Sequence, residues 1–316
     1  MNYRSIADMN RTILASLHRL PRDLDLVVGV PRSGLLAAQM LGAATGLPVV
    51  ALDDFLEKRT PAGGAERRVL VLEDSLSSGI AMQEARDRVA LAGRGEGVLY
   101  AAVYGLKPQH PEADLIFEAV PQPRMFQWNA MHHKFLARCC VDIDGILCHD
   151  PSEAENDDGP AYLDFLLNAR PLNRTRQRIG MLVTSRLEKY RPQTEAWLAA
   201  QGIAFDRLAM LDLPSREERM RRGAHGSFKA TVYRDSDALL FIESEPRQAA
   251  EIMRLSGRPV LCLPEQRLYQ PDLGHIAAQI PRLRSRSAAR HLVRQAAWSV
   301  LGPDRFSALS QRLRGA

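Results

Sequence analysis

The sequence feature that most constrains the fold is a short apolar run, Cys139 to Val141, that ends in Asp142 and Asp144. Such a run is typical of a buried β-strand, and Gly145 predicts a turn directly after it. The turn would let both carboxylates approach one hard cation such as Mg²⁺. A carboxylate nucleophile beside a metal, with a second acid to transfer a proton, could carry out phosphoryl transfer. The alternative is a solvated turn without chemistry.

Later apolar runs end in groups that would complete such a site. Ile179 to Arg186 contains Thr184 and Ser185, whose hydroxyls can bind a phosphate. Lys229 precedes the next strand and can neutralise charge, and that strand ends in further acids. Along the chain, a strand that ends in acids is followed by a strand that ends in Thr, then by Lys, then by a second strand that ends in acids. This order resembles the haloacid dehalogenase superfamily over about residues 136 to 265.

This resemblance implies a role for each matching residue. Asp142 would be the nucleophile and Asp144 the general acid/base, while Thr184, Ser185 and Lys229 would bind phosphate. The implied Mg²⁺ ligands are Asp142, Asp144, Glu243 and Glu245. The two glutamates depart from the superfamily, where aspartate is commoner. About 30 residues separate the first two site strands, which leaves little room for a cap, and capless members typically act on large substrates. The charged segment 216–222 is interpreted as a solvated face.

A second phosphate-handling pattern lies upstream. The strand-like run Leu26 to Val30 is followed by a PRSG turn, and the run Val69 to Leu72 ends in Glu73 and Asp74. After these acids, a turn with Ser75, Ser77, Ser78 and Gly79 opens a helix, and the serine hydroxyls and the amides of the turn and of the helix N-terminus can cradle a phosphate. The acids themselves suit sugar hydroxyls, or a metal that bridges hydroxyls to pyrophosphate. The polar stretch 53–68 is expected to be a long loop, either solvated or acting as a lid.

With these two motifs, VGVPRSG and VLVLEDSLSSG, the chain resembles the type I phosphoribosyltransferases over about residues 20 to 120. The resemblance implies that Glu73 and Asp74 hold the ribose hydroxyls of phosphoribosyl pyrophosphate. Its 5-phosphate would be bound by Ser75, Leu76, Ser77, Ser78 and Gly79. Its pyrophosphate would be bound, through Mg²⁺ and backbone amides, at Pro31, Arg32, Ser33 and Gly34. Glu73 stands where many members have Asp, and no insertion for recognising a nucleobase is evident.

The predicted fold class is therefore α/β. We expect two Rossmann-like open parallel-sheet domains, of the type I phosphoribosyltransferase fold and of a capless haloacid dehalogenase-like fold, followed by a helical tail. The expected boundaries are 1–120 and 138–280 for the domains, 121–137 for the connection and 281–316 for the tail. The connection contains Arg124, Trp128, Asn129 and the pair His132–His133, which could serve an interface or a site.

Charge is unevenly spread along the chain. The net charge is +5, but residues 281–316 carry eight arginines and one acid, which is 8 − 1 = +7 and leaves about −2 for the body. Nucleic-acid binding by the body is therefore not expected. The tail resembles a basic amphipathic helix that binds anionic membrane surfaces, or else docks on the body. The chain lacks an 18-residue apolar run and a signal-peptide core, which favours a cytoplasmic protein that could be peripheral at the inner membrane face.

The two predicted sites form a chemical sequence. Phosphoribosyl transfer leaves a 5-phosphate on the sugar, which a phosphomonoesterase could then remove. The chain resembles phosphoribosyltransferase–phosphatase pairs that supply ribofuranose to bacterial surface polysaccharides, which implies a glycan acceptor that could be lipid-linked. Two alternatives stay open: a nucleobase phosphoribosyltransferase fused to a nucleotidase, and a regulator that senses phosphoribosyl pyrophosphate through a non-catalytic second domain.

Overall fold

A computed structural model describes residues 1–271, and the chain divides into two compact units. The first unit is Met1–Trp128, and the second begins at Asn129. This division lies inside the segment 121–137 that the sequence predicts as a connection. The predicted tail, 281–316, lies outside the described residues, as do residues 272–280.

The first unit alternates strands and helices along most of its length. Its helices are α1 (Ile6–Ser16), α2 (Gly34–Thr45), α3 (Leu52–Leu56) and α4 (Ile80–Leu91). Its strands are β1 (Asn2–Arg4), β2 (Leu26–Gly29), β3 (Val49–Ala51), β4 (Val69–Ser75), β5 (Val98–Gly105), β6 (Leu115–Ala119) and β7 (Arg124–Phe126).

The main sheet of this unit is parallel, with strand order β3-β2-β4-β5-β6. Leu70 and Val71 in β4 are fully buried in two different apolar clusters, because a parallel sheet covered on both faces buries successive side chains in opposite directions. The chain leaves β2 toward one edge for β3 and returns on the other side as β4. The carboxyl ends of β2 and β4 therefore flank the switch point where open α/β sheets bind ligands.

The second unit has the same layered plan. Its strands are β8 (Cys139–Val141), β9 (Ile179–Leu187), β10 (Phe205–Leu211), β11 (Leu240–Glu243), β12 (Val260–Cys262) and β13 (Arg267–Tyr269). Its helices are α5 (Pro160–Asn168), α6 (Arg191–Ala200), α7 (Arg216–Arg222), α8 (Ala224–Asp235) and α9 (Pro246–Ser256). The sheet order is β10-β9-β8-β11-β12-β13, parallel except for the last pair. Its switch point lies between β8 and β11, and the predicted α/β class with parallel sheets is confirmed.

Three local predictions differ from the structure. The strand expected to end at Leu72 continues as β4 to Ser75, because Glu73 and Ser75 pair with β5. The expected loop 53–68 begins with the helix α3 rather than with irregular chain. Part of the expected connection forms β7, which pairs in parallel with β1 in a separate two-stranded sheet.

All four cysteines are buried thiols without a disulfide. Among the helices of residues 1–271, none combines the length and apolar character that crossing a bilayer requires.

Candidate functional site

The predicted phosphoribosyl pyrophosphate motifs meet at the switch point of the first unit. The PRSG turn follows β2, and α2 begins at Gly34. The Glu73–Asp74 pair lies near the carboxyl end of β4, and residues 76–79 connect this strand to the N-terminus of α4. β2 and β4 are adjacent and paired in register, since Gly29 lies opposite Leu72. The fold therefore brings together the residues that the sequence assigned to pyrophosphate, ribose and 5-phosphate.

The two acids at this point differ in their surroundings. Asp74 is buried, and its Oδ2 accepts a hydrogen bond from the indole Nε1 of Trp128 at 2.8 Å. Burial raises the pKa of Asp74, and the bond from Trp128 opposes this rise. Burial and the neighbouring Asp74 raise the pKa of Glu73 to about 7. The Oε2 atom of Glu73 is buried and has no hydrogen-bond partner among the described residues, so it can accept a hydrogen bond from a ligand hydroxyl.

The loop after β4 has the shape of an anion cradle. Ser77 and Ser78 are exposed, and Gly79 precedes α4 in the left-handed region, with φ of +81°. A side chain at Gly79 would also overlap the imidazole of His110. Glycine is thus required twice here, once for the backbone angle and once for the close approach. The arrangement directs the loop toward the positive end of the α4 dipole.

Two residues with no assigned role in the sequence brace this site. Arg124 donates from Nη2 to the carbonyl oxygen of Leu76 at 2.7 Å, and Trp128 holds Asp74. Trp128 stacks on Phe126 with ring centroids 4.8 Å apart, and Phe126 stacks on Tyr104 at 5.2 Å. The sequence did not decide whether Arg124 and Trp128 serve an interface or a site, because β7 and the turn that follows it are short and carry no motif.

The second candidate site lies at the β8/β11 switch point. Asp142 directly follows β8, and Glu243 ends β11. Lys229 on α8 donates from Nζ to Asp142 at 2.6 Å, to Glu243 at 2.9 Å and to the side-chain oxygen of Gln248 at 3.0 Å. Burial raises the pKa of Asp142, with Lys229 opposing and Glu243 adding to the rise. The fold thus joins three predicted site residues, and Lys229 neutralises one of the two carboxylates.

Asp144 has a different partner, Arg186. The Arg186 guanidinium is fully buried and donates hydrogen bonds to the Asp144 carboxylate from Nη2 at 2.6 Å and from Nε at 3.1 Å. Burial alone would raise the pKa of Asp144, but Arg186 outweighs it and lowers this pKa. An ionised Asp144 is suited to accepting a proton. The sequence offered one clue to this pair, an arginine directly after the Thr184–Ser185 hydroxyls.

A cavity of about 460 Å³ opens above this cluster and is lined by Asp142, Asp144, Ser185, Lys229 and Glu245, among others. Thr184 is completely buried and is not among the lining residues, whereas Ser185 is. The lining also includes Arg219 and His225, which sequence reasoning did not single out. Burial, together with Arg219 and Lys229, lowers the pKa of His225 to about 4, so this imidazole is neutral at neutral pH.

The predicted Mg²⁺ ligands fit a magnesium ion in part. When Asp142, Asp144 and Glu243 are ionised, Lys229 pairs with Asp142 and Glu243 and Arg186 pairs with Asp144, so the three carboxylates outnumber the two cations paired with them. The excess negative charge and the oxygen donors suit Mg²⁺, which often takes one or two carboxylates plus substrate phosphate. Glu245 instead caps α9 by accepting from the amides of residues 247 and 248. Within residues 1–271, no three His, Cys, Asp or Glu side chains form a ready-made metal cluster.

Comparison with known proteins gives limited similarity. No family model matches the chain, and no curated protein matches it. A purine phosphoribosyltransferase from Pyrococcus horikoshii Ot3 is 19% identical, with a TM-score of 0.32 over 40% of this chain and 92% of its own.

Two further solved structures match to a similar extent. The Helicobacter pylori xanthine-guanine-hypoxanthine phosphoribosyltransferase is 12% identical, with a TM-score of 0.33 over 40% of this chain and 91% of its own. A hypothetical protein from Neisseria gonorrhoeae with bound ppGpp is 15% identical, with a TM-score of 0.32 over 41% of this chain and 90% of its own. At TM-scores near 0.3, the functional assignment depends on the residues and contacts described above.

Proposed function

We propose that the first unit transfers a phosphoribosyl group from phosphoribosyl pyrophosphate to an acceptor. The observation that carries this proposal is the switch point of its sheet, where the Glu73–Asp74 pair adjoins a loop at the N-terminus of α4. Acids beside an anion cradle suit a ligand that is both hydroxylated and phosphorylated. The unpartnered Oε2 of Glu73 is an acceptor for a ribose hydroxyl.

In the proposed reaction, an acceptor oxygen or nitrogen bonds to C1 of the sugar. The bond from C1 to the pyrophosphate oxygen breaks, pyrophosphate leaves with the electron pair, and the acceptor loses a proton to solvent. Residues 31–34 would hold pyrophosphate with Mg²⁺, which supplies positive charge to the leaving group. Asp74, fixed by Trp128, would hold the ribose in place.

We further propose that the second unit removes the 5-phosphate. Asp142 would attack phosphorus, and the sugar oxygen would leave with a proton from solvent. Asp144, which is ionised, would then accept a proton from the water that hydrolyses the acyl phosphate to inorganic phosphate. Asp142 and Glu243 would hold Mg²⁺, which would offset their excess negative charge. The net product of both units is a ribofuranosyl group on the acceptor, together with pyrophosphate and inorganic phosphate.

A glycan, which could be lipid-linked, is the acceptor that we propose. Removal of the 5-phosphate is useful when the ribose itself becomes part of the product. In addition, only eight residues separate β6 from Trp128, and three of them form β7. This short segment leaves little chain with which to enclose a base.

One observation favours a second candidate function, a nucleobase phosphoribosyltransferase fused to a nucleotidase. The half-buried indole of Trp128 lies next to Asp74, and an aromatic ring at that place could stack on a flat base. The two candidates differ in the acceptor and share the residues that bind phosphoribosyl pyrophosphate.

An acceptor screen separates the candidates. The full chain is incubated with phosphoribosyl pyrophosphate, Mg²⁺ and either saccharides or free nucleobases, and pyrophosphate release is measured. The glycan proposal expects release with saccharides, and loss of release in Asp74→Asn. Release with nucleobases alone would favour the second candidate. No acceptor-dependent release with either class would contradict both candidates.

A further inference from the structure

The cavity of the second unit needs hydrogen-bond donors if it is to hold a phosphate, and Lys229, the cationic donor among the three phosphate-binding residues predicted from the sequence, is already engaged. An ammonium group has three N–H donors. Those of Lys229 have acceptors in Asp142, Glu243 and Gln248 at 2.6–3.0 Å. Lys229 therefore bridges the two carboxylates, and in this arrangement it has no donor left for a phosphate oxygen.

Arg186, the cation that pairs with Asp144, is also engaged. Arg186 is committed to Asp144 through Nε and Nη2, and Nη2 also approaches the Cys148 sulfur at 3.3 Å. Its remaining Nη1 lies 3.4 Å from the hydroxyl of Thr194. A phosphate must therefore obtain its donors from other residues that line the cavity.

Two lining residues, Arg219 and Ser185, have polar atoms that are buried and without a partner. These atoms are the Nε of Arg219 and the Oγ of Ser185, among the described residues. Arg219 is only 7% exposed and Ser185 is 8% exposed. Nη1 of Arg219 donates to the carbonyl oxygen of Ser185 at 2.9 Å, so the two residues are adjacent and the guanidinium is fixed in direction. A buried polar atom without a partner lowers stability, and a ligand that satisfies it would offset this loss.

We propose that Arg219 and Ser185 form the phosphoryl-binding pair of this cavity, with Arg219 as the principal anion-binding residue. The proposal rests on the phosphomonoesterase function proposed for the second unit and names the residues that recognise its substrate. A guanidinium presents donors in a planar fork that matches phosphate oxygens. After a small side-chain rotation, Nε and Oγ donate to two oxygens of a phosphate whose phosphorus faces Asp142. Lys229 then keeps its role of bridging Asp142 and Glu243.

Binding of inorganic phosphate to the full-length protein in the presence of Mg²⁺ tests this proposal without requiring a known substrate. Calorimetry or phosphorus NMR gives the dissociation constant. Losing hydrogen bonds between a charged donor and phosphate should weaken binding ~10- to 100-fold in Arg219→Met. Arg219→Lys keeps the charge but lacks Nε, so we expect only partial recovery. Ser185→Ala should weaken binding several-fold.

The matched control is Arg221→Met. Arg221 lies on the same helix, α7, but its side chain is 72% exposed and pairs with Glu218. It is not among the cavity-lining residues, so its loss removes the same charge without changing the cavity. Phosphate binding should be unchanged in this variant.

The outcomes distinguish an error in the assignment of Arg219 and Ser185 from an error in the proposed phosphomonoesterase function. If the wild type binds phosphate and Arg219→Lys, Arg219→Met and Ser185→Ala bind it equally well, the pair is wrong while the phosphomonoesterase proposal stands. If the wild type does not bind phosphate, both are wrong. Circular dichroism shows whether each variant is folded, and Arg219→Lys decides the matter if Arg219→Met does not fold. With a turnover assay, KM for the monoester should change more than kcat.

Discussion

At the scale of single residues, burial decides which acids of the first unit are charged near neutral pH. Glu73 has a pKa of about 7 in the folded protein against an ordinary value of 4.5. The folded state therefore binds this proton more tightly than the unfolded state does. Between pH 4.5 and about 7, the contribution of Glu73 to stability falls as the pH rises, and above pH 7 the loss is complete.

Replacing Glu73 by Gln should remove this loss. We expect Glu73→Gln to raise the free energy of unfolding by up to about 3 kcal/mol at pH 8 and to leave it nearly unchanged at pH 4. Thermal unfolding at the two pH values measures the effect. Glu84→Gln, an exposed change on α4, is the control and should shift neither midpoint. An equal shift of the Glu73→Gln midpoint at pH 4 and pH 8 would show that charge is not the cause.

Trp128 gives a second prediction at this scale. Trp128→Phe keeps an aromatic ring against Phe126 but removes the Nε1 donor to Asp74. A hydrogen bond to a charged group is worth about 1.5–3 kcal/mol, so phosphoribosyl pyrophosphate turnover should fall ~10-fold or more in kcat/KM. Tyr104→Phe changes the same stack of rings without touching Asp74 and should be nearly neutral. Equal kinetics in Trp128→Phe and the wild type would contradict a positioning role.

At the scale of elements, tight turns at strand ends place the acids of the second unit. Gly145 has φ of +72°, and a Cβ there would come within 2.5 Å of Ser244 on the β11 side. Gly202 has a similar φ of +66° but open space around it. Comparing Ala at the two positions separates the backbone strain from the steric clash.

We expect Gly202→Ala to lower the free energy of unfolding by about 1–2 kcal/mol, which is the left-handed backbone term. Gly145→Ala adds an overpacking cost, so its free energy of unfolding should be lower than that of Gly202→Ala by a further ~1–3 kcal/mol. It should also disturb phosphate binding, since the turn carries Asp144. Denaturant unfolding of both variants gives the comparison. If the two variants lose the same free energy of unfolding, the close approach of Gly145 to Ser244 does not constrain the site.

The elements also show what the sequence could predict. Apolar runs ending in polar groups predicted both parallel sheets, because strands buried on two faces need continuous apolar stretches. They also located Glu73, Asp74, Asp142 and Glu243, since parallel strands place their carboxyl ends at one edge. The continuation of β4 through Glu73 was not predicted because acids are unusual in strands.

Contacts between distant segments were harder to predict. Residues 216–222 were interpreted as a solvated face, yet Arg219 is buried against Ser185. The interpretation was wrong for Arg219 because the charge pattern of a short helix does not reveal what covers it. Arg124 in β7 likewise bonds to the loop after β4, and Trp128 just after β7 bonds to Asp74 near the end of β4, across about 50 residues of chain. Pairing of this kind has no local sequence signal.

At the scale of the whole molecule, the basic segment 281–316 lies outside the described residues, and its role is tested by deletion. Removing residues 282–316 deletes a charge of +7. Each arginine near an anionic surface contributes about 1 kcal/mol, so the shortened chain should sediment much less with anionic vesicles. Neutral vesicles are the control. Equal sedimentation of both chains with anionic vesicles would contradict a membrane role for this segment.

The central claim is that one chain carries two successive reactions on the same sugar. Phosphorus NMR of a single reaction follows both, with phosphoribosyl pyrophosphate, Mg²⁺ and a responsive acceptor as reactants. The wild type should release pyrophosphate and inorganic phosphate in equal amounts. Asp142→Asn should release pyrophosphate alone and accumulate a phosphomonoester, whereas Asp74→Asn should release neither. Inorganic phosphate at the wild-type rate from Asp142→Asn, or no phosphomonoester despite pyrophosphate release, would contradict the claim.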